Sequence, residues 1–237
     1  MKTIGIMQPY FLPYIGYFQL INMVDEFVLY DAIEFSKKGW IHRNRMLLNG
    51  SDEYFTLPLK KDSDYLHVNQ RFLADNFQEF RAKLLRKIEQ NYKKAPYFEA
   101  FFPYLLEILD NKETKLFDYV FNSIQVVNKY LGITTPITIS SSFPEEITQL
   151  KGQEKVLELC KQLKADVYIN SSGGVALYQK EVFKQYNITL KFFRTDSIEY
   201  KQFNHPFVPF LSILDVVMFN SKEQIQTYLN TYHFIDE

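Results

Sequence analysis

The first thirty residues confine this chain to few folds. Thr3 to Met7 is a short apolar run of strand character, and Gln8 to Pro13 is a turn stiffened by two prolines. Tyr14 to Met23 then reads as a helix, and Glu26 to Tyr30 as a second strand. Strand, helix and strand in that order imply two parallel strands joined by a crossover. The turn leaving the first strand is where α/β proteins hold anionic or nucleotide ligands. Pro9 and Pro13 fix backbone angles there, so Tyr10, Phe11 and Tyr14 are displayed on a stiff loop. Gln8 adds an amide, Gly16 permits close backbone approach, and Tyr17 follows one helical turn after Tyr14. The alternative is an aromatic turn that only plugs the end of the sheet.

The rest of the chain repeats the alternation around a helical middle. Asp31 falls just beyond the second strand, and Lys37 to Leu48 and Tyr54 to Leu59 suit extended structure. Phe77 to Tyr92 carries a 3.6-residue stripe of Phe77, Phe80, Leu84, Leu85 and Ile88. Pro96 and Pro103 punctuate a second helix, and Leu116 to Leu131 makes a third with Gly132 as its stop. Strands follow at Ile137 to Ile139, Ala165 to Asn170 and Thr189 to Phe193. Helices are expected at Lys151 to Leu163, Ala176 to Tyr186 and Gln224 to Thr231. The fold class is therefore α/β, a Rossmann-like, mostly parallel sheet. One α/β domain spans 1–237, with a mainly helical insert over about 77–131.

Composition narrows the partners. With 27 basic and 28 acidic residues the net charge is -1, which offers no general attraction for polyanions and disfavours nucleic acid. Aromatics reach 17%, with 17 tyrosines, the residue that pairs a flat apolar face with a hydroxyl in sugar- and base-binding clefts. The single cysteine, Cys160, excludes an intramolecular disulfide; its apolar helical setting suits a buried thiol better than a nucleophile. No basic leader with a long apolar run is present, and no window holds about 18 uninterrupted apolar residues. A cytoplasmic protein without a membrane span is expected.

Three further segments could carry chemistry. On a strand, alternation would put Lys38, Trp40, His42 and Asn44 on one face, and Lys37, Ile41, Arg43 and Arg45 on the other. An ammonium, the only indole, an imidazole and a carboxamide together suit a phosphate joined to a sugar or base; a solvated edge strand is the alternative. Asn170-Ser171-Ser172-Gly173-Gly174 lies between a strand and a helix, where its hydroxyls and amides could cradle an anion or merely cap and turn. Asp215 sits in an apolar run and, if buried, needs a partner, for which the cationic segment is the natural source. The four histidines, at 42, 67, 205 and 233, are too scattered to suggest a metal site.

Taken together, these segments resemble the WbqC-like protein family. The resemblance rests on Met7 to Phe18, on Lys38-Gly39-Trp40 with His42 to Arg45, on Tyr168-Ile169-Asn170 with Gly173-Gly174 and Leu177-Tyr178, and on Leu211 to Asp215. It implies a bacterial protein linked to surface-polysaccharide, including O-antigen, gene clusters. The opening also resembles that of the HIGH-type nucleotidyltransferases. Tyr14-Ile15-Gly16-Tyr17 has the spacing of their H-x-G-H, but both histidines are tyrosine, so their transition-state chemistry does not carry over.

The expected function is a transferase-like step on a nucleotide-activated sugar or related phosphorylated intermediate, a small-molecule substrate. Gln8, Tyr10, Tyr14, Gly16, Tyr17, Asp31, Trp40, Arg43, Asn44, Arg45, Ser172, Gly173 and Gly174 would bind the ligand. His42 as general base and Lys38 as phosphate partner would be catalytic. The rivals are an acyl- or aminoacyltransferase modifying an amino sugar, and a non-enzymatic nucleotide-sugar or glycan-binding accessory protein. The cofactor and the oligomeric state stay open.

Overall fold

The computed structural model describes residues 1–235. β1 (Thr3–Met7), α1 (Ile15–Met23) and β2 (Glu26–Leu29) form the opening unit, with β1 and β2 parallel and in register at Gly5 and Phe27. β3 (Arg43–Leu48) and β4 (Ser51–Thr56) make a separate antiparallel hairpin. Its turn is Asn49-Gly50, both at positive φ (50° and 79°), a pairing that the tight hairpin turn favours. The helical stretch is α2 (Phe77–Tyr92), α3 (Phe98–Leu109) and α4 (Leu116–Leu131).

The chain then returns to the sheet through β5 (Ile137–Ile139), α5 (Glu145–Thr148), α6 (Gly152–Gln162), β6 (Val167–Ser171), α7 (Lys180–Lys184) and β7 (Thr189–Thr195). α8 (Ile213–Phe219), α9 (Lys222–Leu229) and β8 (Tyr232–Phe234) complete it. The six-stranded sheet has the order β5-β2-β1-β6-β7-β8, parallel throughout except for β8. This is the mostly parallel α/β architecture expected from the alternation. The chain fills β2 and β5 on one side of β1 before it crosses to β6 and β7 on the other. The strand order therefore reverses between β1 and β6, and in open α/β sheets the crevice at that switch point is where ligands bind.

Period-two alternation divides the core between the two faces of the sheet. Phe27, Leu29, Val167, Ile169 and Phe193 pack with α1, α4, α8 and α9. Ile4, Ile6, Val28, Tyr168, Leu190 and Phe192 face α6 and α7, with Cys160 buried among them and its thiol pushed up to about 12 by burial.

Several local expectations are corrected. Lys37 to His42 is turn and bend rather than strand, so extended structure begins only at Arg43. Pro103 lies inside α3 instead of ending it. Ala176 to Tyr186 is not one helix: a 3-10 turn covers Ser172–Leu177, Tyr178 is extended, and only Lys180–Lys184 is α-helical. The two glycines disfavour α-helix at the start of this stretch, and the extended Tyr178 within it packs edge-on against Tyr168 and Phe183. Asp215 is buried on α8 without a cation. Its carboxylate instead accepts hydrogen bonds from the Tyr92 hydroxyl (2.9 Å), the Tyr200 hydroxyl (2.7 Å) and the Gln202 amide (2.6 Å).

Candidate functional site

The opening turn is held by two remote segments and by α1. Leu12 is buried with φ at 44°, a conformation that persists only when its surroundings hold it. Asn44 Nδ2 donates to the Leu12 carbonyl (2.9 Å), and Ser212 Oγ donates to the same oxygen (2.6 Å). The Phe11 backbone amide donates to the Ile41 carbonyl (3.0 Å), and the Ile213 amide donates to the Pro13 carbonyl (2.8 Å). The Tyr17 hydroxyl donates to Gln8 O (2.9 Å), closing the turn onto α1. Asn44 therefore shapes the site through backbone carbonyls, which sequence alternation alone does not reveal.

An aromatic cleft of about 340 Å³ opens beside this turn, at the C-terminal ends of β1, β6 and β7. Tyr10, Tyr14, Trp40 and Phe210 supply ring faces, and Arg45 and Arg194 supply cations. Arg45 is oriented by Asp52 Oδ2 (3.0 Å) and by the Phe210 carbonyl (3.0 Å). Its guanidinium lies 5.7 Å from the Trp40 ring, and that of Arg43 lies 5.8 Å from it. Trp40 also stacks on Tyr54, with centroids 6.0 Å apart and planes 17° from parallel. Burial holds the Tyr10, Tyr14 and Tyr17 phenols above their ordinary pKa, Tyr17 most of all, so near neutrality they are hydrogen-bond donors and not bases.

A second, polar cleft of about 960 Å³ lies over the ends of β1, β2 and β6, and meets the first at Met7, Tyr10 and Ser171. Gln8, Gly173 and Gly174 line it, as do His67, Asn69 and Gln153. Asp31 is buried beneath it. Its carboxylate accepts from Ser140 Oγ (2.8 Å), the Ser141 amide (2.9 Å) and Asn69 Nδ2 (2.8 Å), so it fastens the loop after β5 to the end of β2.

The structure thus brings Tyr10, Tyr14, Gly16, Tyr17, Trp40, Asn44, Arg45 and Ser172 to the aromatic cleft, and Gln8, Tyr10, Gly173 and Gly174 to the polar one. Lys38, His42, Arg43 and Asp31 line neither cleft. The expected face of Lys38, Trp40, His42 and Asn44 does not form, because the chain is not extended before Arg43. His42 is buried edge-on against Phe35, with centroids 4.9 Å apart. Burial, then the Arg43 and Arg71 charges, pushes its pKa down to about 4, so the ring is neutral near pH 7. Arg43 hydrogen-bonds the carbonyls of Lys38 and Gly39, which folds the turn and sets Trp40. Sequence reasoning missed Arg194, Thr195 and Phe210. Two more residues on β7 would have placed the first two at the same sheet edge; nothing local marks Phe210.

By fold this is a mostly parallel α/β protein whose two clefts meet at the switch point of its sheet. The chain belongs to the WbqC-like protein family, whose model matches residues 8–227, from the opening turn to α9. It is also similar to uncharacterized protein Rv1507c of Mycobacterium tuberculosis, 30% identical over 231 residues that cover 97% of this chain and 98% of the relative. No solved structure matches it. Among the described residues, no helix is long and apolar enough to cross a membrane.

Proposed function

We propose that this chain binds a nucleotide-activated sugar, or a related phosphorylated intermediate, and serves a transfer step on it in bacterial surface-polysaccharide biosynthesis of the O-antigen type. The observation that supports the ligand class is the aromatic cleft, where ring faces from Tyr10, Tyr14 and Trp40 stand beside Arg45 and Arg194. Stacking suits a base, and the guanidinium fork of Arg45 suits phosphate oxygens. The polysaccharide setting rests on the family resemblance. In this reading Lys38, His42 and Arg43 shape the cleft wall from outside, and the imidazole available for proton transfer is His67, which lines the adjoining polar cleft. A thermal-shift screen of nucleotides, nucleotide sugars and acyl donors tests the ligand class. Stabilisation by nucleotides or nucleotide sugars, lost in Arg45→Ala, is the expected result; a ligand at a hundred times its Kd adds about 2.7 kcal/mol. Stabilisation by acyl donors alone would overturn it in favour of acyl transfer.

Binding without turnover is the second reading. It is favoured by the aromatic cleft itself, whose titratable lining residues are tyrosines and arginines. Bound nucleotide sugar that stays intact over a long incubation, with or without candidate acceptors, would select it.

A further inference from the structure

We infer that the polar cleft is a distinct subsite for a neutral, polyhydroxylated group, a glycosyl unit, set next to the phosphate-binding cleft. This rests on the preceding reading only for the identity of the neighbouring anion. The first observation is that the charges around the cleft do not suit an anion. The buried Lys155 Nζ donates to the carbonyls of Ala32 (3.1 Å) and Thr148 (2.8 Å) and sits 4.7 Å from the Tyr30 ring centroid. Asp31 is satisfied from three sides beneath the floor. At the rim Lys151 stands largely in solvent, 3.9 Å from Glu34, and Glu145, which accepts from Gln149 Nε2 (2.8 Å), is a second carboxylate in the lining. A phosphate in this cleft would meet two carboxylates against one exposed lysine.

The second observation is what the cleft offers instead. Among the described residues, the amide nitrogens of Gln8 and Gln153 and the hydroxyls of Tyr30 and Ser141 have no protein hydrogen-bond partner, and all four residues line the cleft. Burial pushes the Tyr30 phenol up to about 12, so it remains a donor. Neutral donors and acceptors spread around aromatic walls from Tyr30 and Tyr178 match the alternating hydroxyls and apolar ring faces of a sugar. The cleft is of ordinary ligand size and opens directly on the aromatic cleft past Tyr10. A glycosyl group joined to the bound phosphate, or a separate acceptor sugar, would use the same contacts.

The test compares matched pairs by calorimetry: UDP with UDP-glucose, dTDP with dTDP-glucose, GDP with GDP-mannose, plus free glucose and mannose. Gly173→Leu is the variant that narrows the cleft. A Cβ at Gly173 meets nothing closer than Ser171 Oγ at 3.8 Å, so the backbone accepts a side chain at this lining position. In at least one pair the sugar-bearing ligand is expected to bind tenfold or more tightly than the bare diphosphate, or a free hexose to add to diphosphate binding. Gly173→Leu should remove that gain and leave diphosphate affinity unchanged. Should it fold poorly, the double variant Gln8→Ala/Ser141→Ala is expected to show the same selective loss. Equal affinity within every pair with no hexose effect, or an equal loss for both members of a pair, would overturn the inference. Hexose binding that Gly173→Leu abolishes, with no diphosphate binding at all, would overturn the phosphate reading and leave the glycosyl subsite standing. No binding of any probe would overturn both.

Discussion

Gly16 on α1 packs against Thr195 at the end of β7: a Cβ on Gly16 would lie 2.6 Å from Thr195 Oγ1. Thr195 Oγ1 in turn donates to Gln19 Oε1 (2.6 Å), so helix and strand are fastened within one helical turn, and both Gly16 and Thr195 line the aromatic cleft. Gly16→Ala is expected to destabilise the protein by about 1–3 kcal/mol through overpacking, and to weaken ligand binding. Urea unfolding measures this. Thr195→Ala combined with Gly16→Ala should recover part of the loss, a coupling expected for side chains in contact. Wild-type stability in Gly16→Ala would show that the close approach does not constrain the fold.

The clamp on the opening turn gives a second expectation. Removing the Asn44 amide strips a donor from the Leu12 carbonyl in a buried setting, while Ser212 still holds the same oxygen. Asn44→Ala is expected to cost about 1–3 kcal/mol, and the double variant with Ser212→Ala more than the two single losses added together. Chemical denaturation separates the cases. Strictly independent losses would mean that the two side chains do not share the task of holding the turn.

Two buried groups give opposite pH dependences. Burial raises Asp215 to about 6, so its contribution is fully present below the ordinary carboxylate value of 3.8 and is lost as pH rises through 6. Burial with Arg43 and Arg71 lowers His42 from 6.5 to about 4, so its contribution is present above 6.5 and is lost as pH falls toward 4. Between pH 4 and 6.5 the two oppose each other. Relative to wild type, Asp215→Asn should lose stability as pH falls through this window, by an amount on the order of 2 kcal/mol. His42→Gln should gain it. Urea midpoints at several pH values check the two signs, and parallel profiles in all three proteins would contradict them.

Lys38 and Arg45 separate the observed site from the one that alternation implied. Lys38 lines neither cleft, whereas Arg45 lines the aromatic one and is oriented by Asp52 and the Phe210 carbonyl. Lys38→Ala is expected to leave ligand affinity within about 0.5 kcal/mol of wild type, as for a surface change away from such features. Arg45→Ala should weaken it at least tenfold. Isothermal titration distinguishes them, and the reverse ranking would place the ligand away from the aromatic cleft.

Much of the architecture was legible because it rests on local pattern. β1, α2, α4 and β5 begin and end where periodicity and the Gly132 stop place them. The opening strand, turn and helix likewise marked the switch-point crevice before any tertiary contact was known. What was not legible depends on contacts distant in sequence. Arg43 folds the Lys38–Gly39 carbonyls into a turn, which breaks the alternation and sends His42 into the core. α8 was hidden because its apolar run has no polar face: it is buried all round, and Asp215 is satisfied by Tyr92 and Tyr200 from other segments. Phe210 reaches Tyr14, with ring centroids 5.7 Å apart, across almost the whole length of the chain.

Trp40 is the only tryptophan in the chain and, 37% exposed, lines the aromatic cleft, so its emission reports on ligand entering that cleft. Titration with nucleoside diphosphates and their sugar derivatives should shift or quench this emission with the same Kd that calorimetry gives. Arg45→Ala should abolish the change. Calorimetric binding of such a ligand that leaves Trp40 emission unaltered would place the ligand elsewhere and contradict the account.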